Sequence, residues 1–428
     1  MQLKTTENPS QEQNVQKLQV KSVEEKISRF LERKFIRSRS FSTKTTYKIA
    51  INIFLKFLHS KYSIDFNQLL EEIKTNQRDP IDVMDDYNLF LANRPNKQGR
   101  TGLCRSTSSN YLSVVKQFLN GEGCKIYEED LRSRFKLPPS YPAYEEGLTR
   151  HVINRVIRLS NPKLAAVILM ACSGGYRIME IVQLRLSDID FTTNPTKILV
   201  RADTEKKRRT RVTHISSEAT TALKDYIAKY IEVNDETGGD KYIFLIHHEE
   251  RIRDIKNRIE QRKLKKKPTV HLEKLRDRYE SELKVLGSEE RFDKDANVAR
   301  QNLQNQLARV RDKIPELNVQ TENQRNLIHF HAFRAWFKTQ VTDAHQSDFA
   351  EALIGHSSVK LLYYRQNAKA REETYKQIEH AVTIADTEKF DQNITETQKN
   401  YQDLQSKFDG ISKLIRDLEK NAVLKTKS

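Results

Sequence analysis

The segment Ala171-Cys-Ser-Gly-Gly-Tyr-Arg-Ile-Met-Glu180 separates two helices of different character. The apolar run before it predicts a buried helix that ends at Gly174, and a new helix is expected to start near Arg177. Arg177 would then lie in the first helical turn, beside free backbone N–H groups where anions bind. Glu180, one turn later, is placed to hold the guanidinium in one orientation. The alternative interpretation of this pair is an ordinary ion pair at the surface.

The composition favours a polyanionic partner. The chain has 428 residues, with 75 Lys and Arg against 58 Asp and Glu, which gives a net charge of +17. A basic protein of this kind most often binds nucleic acid, although a solvated basic surface is the alternative. The apolar runs are too short to span a bilayer, which needs about 20 residues. The three cysteines are widely spaced, so neither a disulfide framework nor a zinc ribbon is expected.

Changes in composition divide the chain into five parts. Residues 1–22 are polar and predict a disordered arm, whereas residues 23–136 predict four or five amphipathic helices. Three prolines mark residues 137–147 as an extended linker. A second run of helices follows over residues 148–386, with a charged helical hairpin inserted at about 250–322. Residues 387–428 show heptad spacing and predict a C-terminal coiled-coil helix, either for dimerisation or for packing on its own chain.

Two short β-branched segments, residues 196–201 and 211–216, predict a hairpin inside the second run of helices. The turn between them is strongly basic and contains Lys206. A turn carried by two strands presents a lysine rigidly to a groove. The alternative interpretation is a solvated basic turn.

Further candidates lie towards the C-terminus. In the motif His331-Ala-Phe-Arg334, the two polar residues are three apart and are expected to share a helix face. A Gly-His turn at His356 precedes a short helix that ends in Tyr363 and Tyr364. These two tyrosines point about 100° apart on a helix, so one role for both is not expected. Taken singly, each of these residues also fits ordinary packing or a surface position.

The order and spacing of these residues together resemble the tyrosine recombinase, or phage integrase, family. The hairpin and the Tyr-Tyr-Arg ending look most like archaeal integrases. The resemblance implies a mainly α fold with a small antiparallel β-sheet. It identifies residues 23–136 as similar to that family's helical, SAM-like core-binding domain and residues 148–386 as its catalytic domain. The insertion and the coiled coil are additions to this plan.

The resemblance also implies a role for each residue in attack on a phosphodiester. Arg177 and Arg334 would clamp the non-bridging oxygens and offset the charge that grows in the transition state, with Glu180 supporting Arg177. His331 and His356 would add hydrogen bonds, and His331 would also move a proton.

Tyr364 would be the nucleophile and would form a 3′-phosphotyrosine link, while Lys206 would protonate the leaving 5′ oxygen. The tyrosine lies closer to His356 than is usual in the family. Tyr364 is preferred because Tyr-Arg-Gln resembles the family's Tyr-Thr-His; Tyr363 is the alternative, and Tyr375 is a distant third.

The implied function is site-specific recombination of double-stranded DNA by a homo-oligomer, a dimer on one site and a tetramer in synapsis. No cofactor, metal ion, ATP or membrane is expected, and the expected location is the cytoplasm, in association with the nucleoid. A dimer resolvase and a type IB-like topoisomerase are related alternatives. An architectural DNA-binding coiled-coil protein without catalysis is an alternative of another class.

Overall fold

A computed structural model describes residues 9–94, 102–134, 147–204, 210–231, 241–317, 326–355 and 367–385, together with residues 405 and 407. The chain divides into two compact units, Met1–Pro142 and Ala143–Ser428. Across the described part of the chain, no helix combines the length and apolar character needed to cross a membrane. The prediction of a mainly α fold with a small antiparallel sheet is confirmed.

The described part of the first unit is entirely helical. Its helices are α1 (Pro9–Ser38), α2 (Phe41–Tyr62), α3 (Phe66–Lys74), α4 (Pro80–Asn93), α5 (Arg105–Gly121) and α6 (Glu128–Arg134). Polar N-caps set several of the starts: Ser40 Oγ accepts a hydrogen bond from Thr43 N, and Asp65 forms a capping box with Gln68. The core is rich in aromatic rings, including the edge-to-face pair of Phe54 and Tyr87.

The start of α1 differs from the expectation for residues 1–22. The helix already begins at Pro9, so the part of the expected disordered arm from Pro9 onward is helical. The amphipathic stretch that begins at Val23 packs on the first unit's core through Phe30 and Leu31. A helix anchored in this way extends by one backbone hydrogen bond per residue at little cost, even through a polar sequence without apolar periodicity.

The second unit begins with three helices, a sheet and a fourth helix. They are α7 (Arg150–Arg158), α8 (Pro162–Gly174), α9 (Ile178–Val182), β1 (Ile189–Asp190), β2 (Thr196–Val200), β3 (Arg211–Ile215) and α10 (Ser217–Tyr230). The sheet is antiparallel in the order β1-β2-β3. Thr196 pairs with Ile215 and Val200 with Arg211, which is the predicted hairpin, and the two-residue strand β1 is added at its edge.

Three helices occupy the region of the expected insertion: α11 (His248–Leu264), α12 (Val270–Val285) and α13 (Ser288–Arg311). Pro268 lies between α11 and α12, and Gly287 lies between α12 and α13. Helices α11 and α12 form a hairpin with a small core of its own around Ile255, Ile259 and Leu272. Helix α13 differs, because its apolar face belongs to the main core of the second unit.

The described chain continues with α14 (Phe330–Asp343), α15 (Ser347–Ile354) and α16 (Ala368–Val382). Helices α8 and α14 pack together at the centre of the second unit. The expected coiled coil over residues 387–428 lies outside the described residues, apart from residues 405 and 407.

Candidate active site

Arg177 and Glu180 lie at the turn between α8 and α9. Gly175 ends α8 in the left-handed region, with φ 65°. Arg177 is the N-cap of α9, one position earlier than the expected first turn. Glu180 Oε2 accepts from the Arg177 backbone N at 2.8 Å, and Oε1 accepts from Arg177 Nη1 at 2.9 Å. The Glu180 side chain is 2% exposed and that of Arg177 27%, so this is not a surface ion pair.

A second arginine, Arg211, also binds Glu180, although it was not among the candidates predicted from the sequence. Arg211 Nη1 and Nη2 donate to the two Glu180 oxygens at 3.1 and 2.7 Å. Its Nε donates to Leu353 O at 2.7 Å, at the end of α15. Burial raises the pKa of Glu180, but the hydrogen bonds and charges of Arg211 and Arg177 outweigh burial and hold it below the usual range. Glu180 is therefore a buried carboxylate shared by two guanidinium groups.

A signal for Arg211 was present in the sequence. In β3, Arg211, Thr213 and Ile215 lie on one face of the strand, and all three are buried. A charged residue in phase with the inward face of a strand needs a buried partner.

Arg334 occupies a buried position on α14 and is 3% exposed. Its Nη1 donates to Gly175 O, in the turn just before Arg177, and its Nη2 donates to Ile354 O at 2.5 Å. Phe333 and Phe337 are fully buried on the same helix. The turn, the end of α15 and α14 therefore meet at the Arg334 guanidinium, which brings Arg334 close to the Arg177–Glu180 pair.

His331 is exposed, although it lies one turn before the buried Arg334 on α14. It lines a cavity of about 210 Å³ together with His329, Leu148 and Trp336. The His329 and His331 ring centroids are 6.4 Å apart. The predicted shared face of His331 and Arg334 is thus divided between solvent and core.

Four of the candidates lie outside the described residues: Lys206, His356, Tyr363 and Tyr364. The described chain reaches Thr204 before Lys206 and resumes at Thr210, which leads into β3. Gly355, with φ 69°, ends α15 immediately before His356.

Tyr375, the most distant tyrosine considered, is fully buried in α16. Its hydroxyl donates to Ser173 O at 2.7 Å. Burial raises the pKa of this hydroxyl well above the usual value. In this structure Tyr375 therefore has the buried, hydrogen-bonded hydroxyl of a packing residue.

The chain is thus a mainly helical protein in which the side chains of Arg177 and Arg334 meet at the turn between α8 and α9. Residues 146–284 match the family model described as the phage integrase family. The match spans about a third of the chain, includes Arg177, Glu180 and Lys206, and ends before His331. Over these residues the chain is similar to the phage integrase family.

Solved structures with similarity to the chain are recombinases. The XerA recombinase is 18% identical, with 83% of this chain and 98% of that chain covered and a TM-score of 0.32. A lambda integrase dimer bound to a COC′ core site is 12% identical, with 81% and 98% covered and a TM-score of 0.44. XerH bound to palindromic difH is 14% identical, with 78% and 79% covered and a TM-score of 0.44. The likeness to the phage integrase family rests on the sequence match over residues 146–284, since the identities and TM-scores of the solved structures are low. No curated protein matches the sequence.

Proposed function

We propose that the protein is a site-specific DNA recombinase that cuts and rejoins strands through a covalent 3′-phosphotyrosine intermediate. The observation that carries the proposal is the convergence of Arg177 and Arg334 at the turn around Gly175. Their guanidinium groups are fixed by Glu180 and by two backbone carbonyls. Preorganised cations of this kind stabilise charge that develops on a phosphoryl group without reorganising during the reaction.

In the proposed reaction, Arg177 and Arg334 hold the non-bridging oxygens of the scissile phosphate. The Tyr364 hydroxyl oxygen attacks the phosphorus and gives up its proton to His331, with Tyr363 as the alternative nucleophile. The bond from phosphorus to the 5′ oxygen breaks.

Lys206 donates the proton that the departing 5′ oxygen needs, and His356 adds a hydrogen bond to the phosphate. Attack by a different 5′ hydroxyl on the phosphotyrosine reverses the steps and joins new strands. The bond energy is retained in the intermediate, so the proposed reaction uses neither ATP nor a metal ion.

The proposed substrate is double-stranded DNA, bound by a dimer on one site and by a tetramer when two sites are paired. The net charge of +17 supports a phosphate partner. We place the enzyme in the cytoplasm, associated with the nucleoid, where this substrate is found.

The test is a nicked suicide duplex that carries a binding site selected with the full chain, incubated with that chain in EDTA. We expect a covalent protein–DNA adduct for the wild type and for Tyr363→Phe, and no adduct for Tyr364→Phe. Adduct with Tyr364→Phe but not with Tyr363→Phe would move the nucleophile by one residue. If the wild type and both variants bind the substrate equally and the wild type forms no adduct, catalysis is refuted and an architectural protein is favoured.

A further inference from the structure

The α11–α12 hairpin has no part in the proposed chemistry, yet it carries the densest basic run in the described chain. We propose that the hairpin tip, residues 262–267, is a second DNA-contacting surface that binds the phosphate backbone independently of base sequence. The proposal rests on the proposed function, because it assigns the same substrate to a separate part of the molecule.

The charge of the hairpin tip is concentrated and accessible. Its sequence is Arg-Lys-Leu-Lys-Lys-Lys, and all six residues are exposed. Lys263 Nζ lies 3.6 Å from Glu273, so part of its charge is offset. Among the described residues, no ion pair involves Lys265, Lys266 or Lys267. Three ammonium groups therefore face solvent in consecutive positions.

The hairpin that carries these lysines is held as a defined arm. Ile255, Ile259 and Leu272 form its apolar seam, with Tyr279 packed against them. An ion pair of 3.0 Å between Lys256 and Glu280 also joins its two helices. A seam of this kind keeps the tip lysines together at the end of a stiff element, which limits the conformational entropy that binding costs.

The base of the arm is fixed by one buried histidine. His248, 1% exposed, lies in α11; its backbone N donates to Asp295 Oδ2 of α13 at 3.0 Å. Its ring nitrogens lie 2.6 Å from Asp295 Oδ1 and 3.2 Å from Glu282 Oε2 of α12. Helix α13 in turn packs against α9, the helix that Arg177 caps. The arm is thus attached to the element that carries the catalytic arginine.

The length of α11 gives the arm a useful reach. Its 17 residues span about 25 Å at 1.5 Å per residue. Duplex DNA carries phosphates on each strand about every 3.4 Å, so this reach corresponds to roughly seven base pairs. A contact at that distance lengthens the footprint on DNA without touching the scissile phosphate.

The composition of the tip favours DNA over a protein partner. Protein interfaces are depleted in lysine and use buried aromatic and apolar anchors. The tip offers Leu264 as its only apolar side chain, beside five cations. Ammonium groups on flexible stems suit point contacts with phosphates, which position a protein on DNA without reading sequence.

The test compares two triple variants of the full chain that lose the same charge. The tip variant is Lys265→Gln/Lys266→Gln/Lys267→Gln, and the matched control is Lys229→Gln/Lys284→Gln/Lys313→Gln, whose three lysines are exposed elsewhere in the second unit. Fluorescence anisotropy with a 40-base-pair duplex of arbitrary sequence gives the affinity between 50 and 200 mM salt.

Each lost phosphate contact lowers the magnitude of the slope of log affinity against log salt by about 0.9. For three contacts the magnitude of this slope decreases by about 2.7, so the affinity lost between 50 and 200 mM salt becomes ~40-fold smaller. We expect this change for the tip variant relative to the control variant.

Equal slopes for the two variants would overturn the proposal. Equal slopes with a changed oligomer mass in light scattering would also overturn it, and would assign the tip to a protein contact. Failure of the proposed function has a different signature. In that case Tyr364→Phe and the wild type both form no adduct on the nicked substrate, whatever the salt slopes are.

Discussion

Glu180 joins Arg177 to Arg211, and its replacement by glutamine tests whether the arginine cluster is a preorganised unit. The carboxylate accepts four hydrogen bonds of 2.7 to 3.1 Å, two from each arginine. Glutamine has nearly the same shape but turns one acceptor into an N–H₂ donor. That donor would face N–H groups of the arginines, and the buried Arg211 would lose its two charged hydrogen bonds to Glu180.

The size of the effect follows from burial. Removal of one partner from a buried ion pair costs about 3–5 kcal/mol. The Arg211 and Glu180 side chains are 7% and 2% exposed, so this range applies to their pair. Because the amide retains one acceptor, we expect Glu180→Gln to lower the free energy of unfolding by about 3 kcal/mol, the lower end of the range.

The chain offers a local probe for this measurement. Trp336 is the only tryptophan, and it is 4% exposed on α14, in the same unit as the cluster. Urea unfolding followed by its fluorescence therefore reports the unfolding of the second unit. Adduct formation on the nicked substrate should fall by roughly 10²-fold, since a misplaced positioning group commonly has that cost.

A double-mutant cycle with Arg211→Met makes the prediction refutable. If Glu180 and Arg211 act as a unit, the two single variants together should lower the free energy of unfolding by more than the double variant does. The difference should be at least about 1.5 kcal/mol. A loss below about 1 kcal/mol for Glu180→Gln, with additive effects in the cycle, would show that the cluster is not coupled in this way.

Two further perturbations test the turn and the base of the arm. Gly175→Ala should lower the free energy of unfolding by about 3 kcal/mol in thermal unfolding, because the new Cβ would lie 2.5 Å from Phe337 Cδ1 at a positive φ. The control Gly123→Ala, at a positive φ in open space, should lower it by about 1 kcal/mol. Equal losses for the two variants would contradict the steric reasoning. Burial raises the pKa of Glu282, but hydrogen bonds from Lys294, Arg278 and His248 lower it to about 2. Its stabilising effect is therefore complete above the unfolded value near 4.5 and is lost as the pH falls towards 2. In urea unfolding, the stability difference between wild type and Glu282→Gln should shrink over that window, and a constant difference would refute the assignment.

Local patterns in the sequence predicted those features that depend on neighbours along the chain. The glycine pair ended α8, and the three-residue spacing placed Glu180 on Arg177. The β-branched segments at residues 196–201 and 211–216 formed the hairpin. Each of these features is decided by backbone preference or by contacts within one helical turn.

Features that depend on contacts between distant parts of the chain could not be predicted from these patterns. The apolar spacing of α13 shows that one face is covered, but not that the cover is the main core of the second unit. The burial of Arg211 depends on Glu180 and on the carbonyl of Leu353, which lie 31 and 142 residues away. Neither partner can be identified from the strand itself.

The bond from Arg334 to Gly175 O spans 159 residues, and that from Tyr375 to Ser173 O spans 202. A ribosome adds about 5–20 residues per second, so Arg177 is made roughly 8–30 seconds before Arg334. A nascent chain therefore cannot form the bonds that fix the turn around Gly175 until Arg334 and Tyr375 have been translated. Polypeptides that stall or terminate in the arm would lack Arg334, so under the proposed function they could not cut DNA.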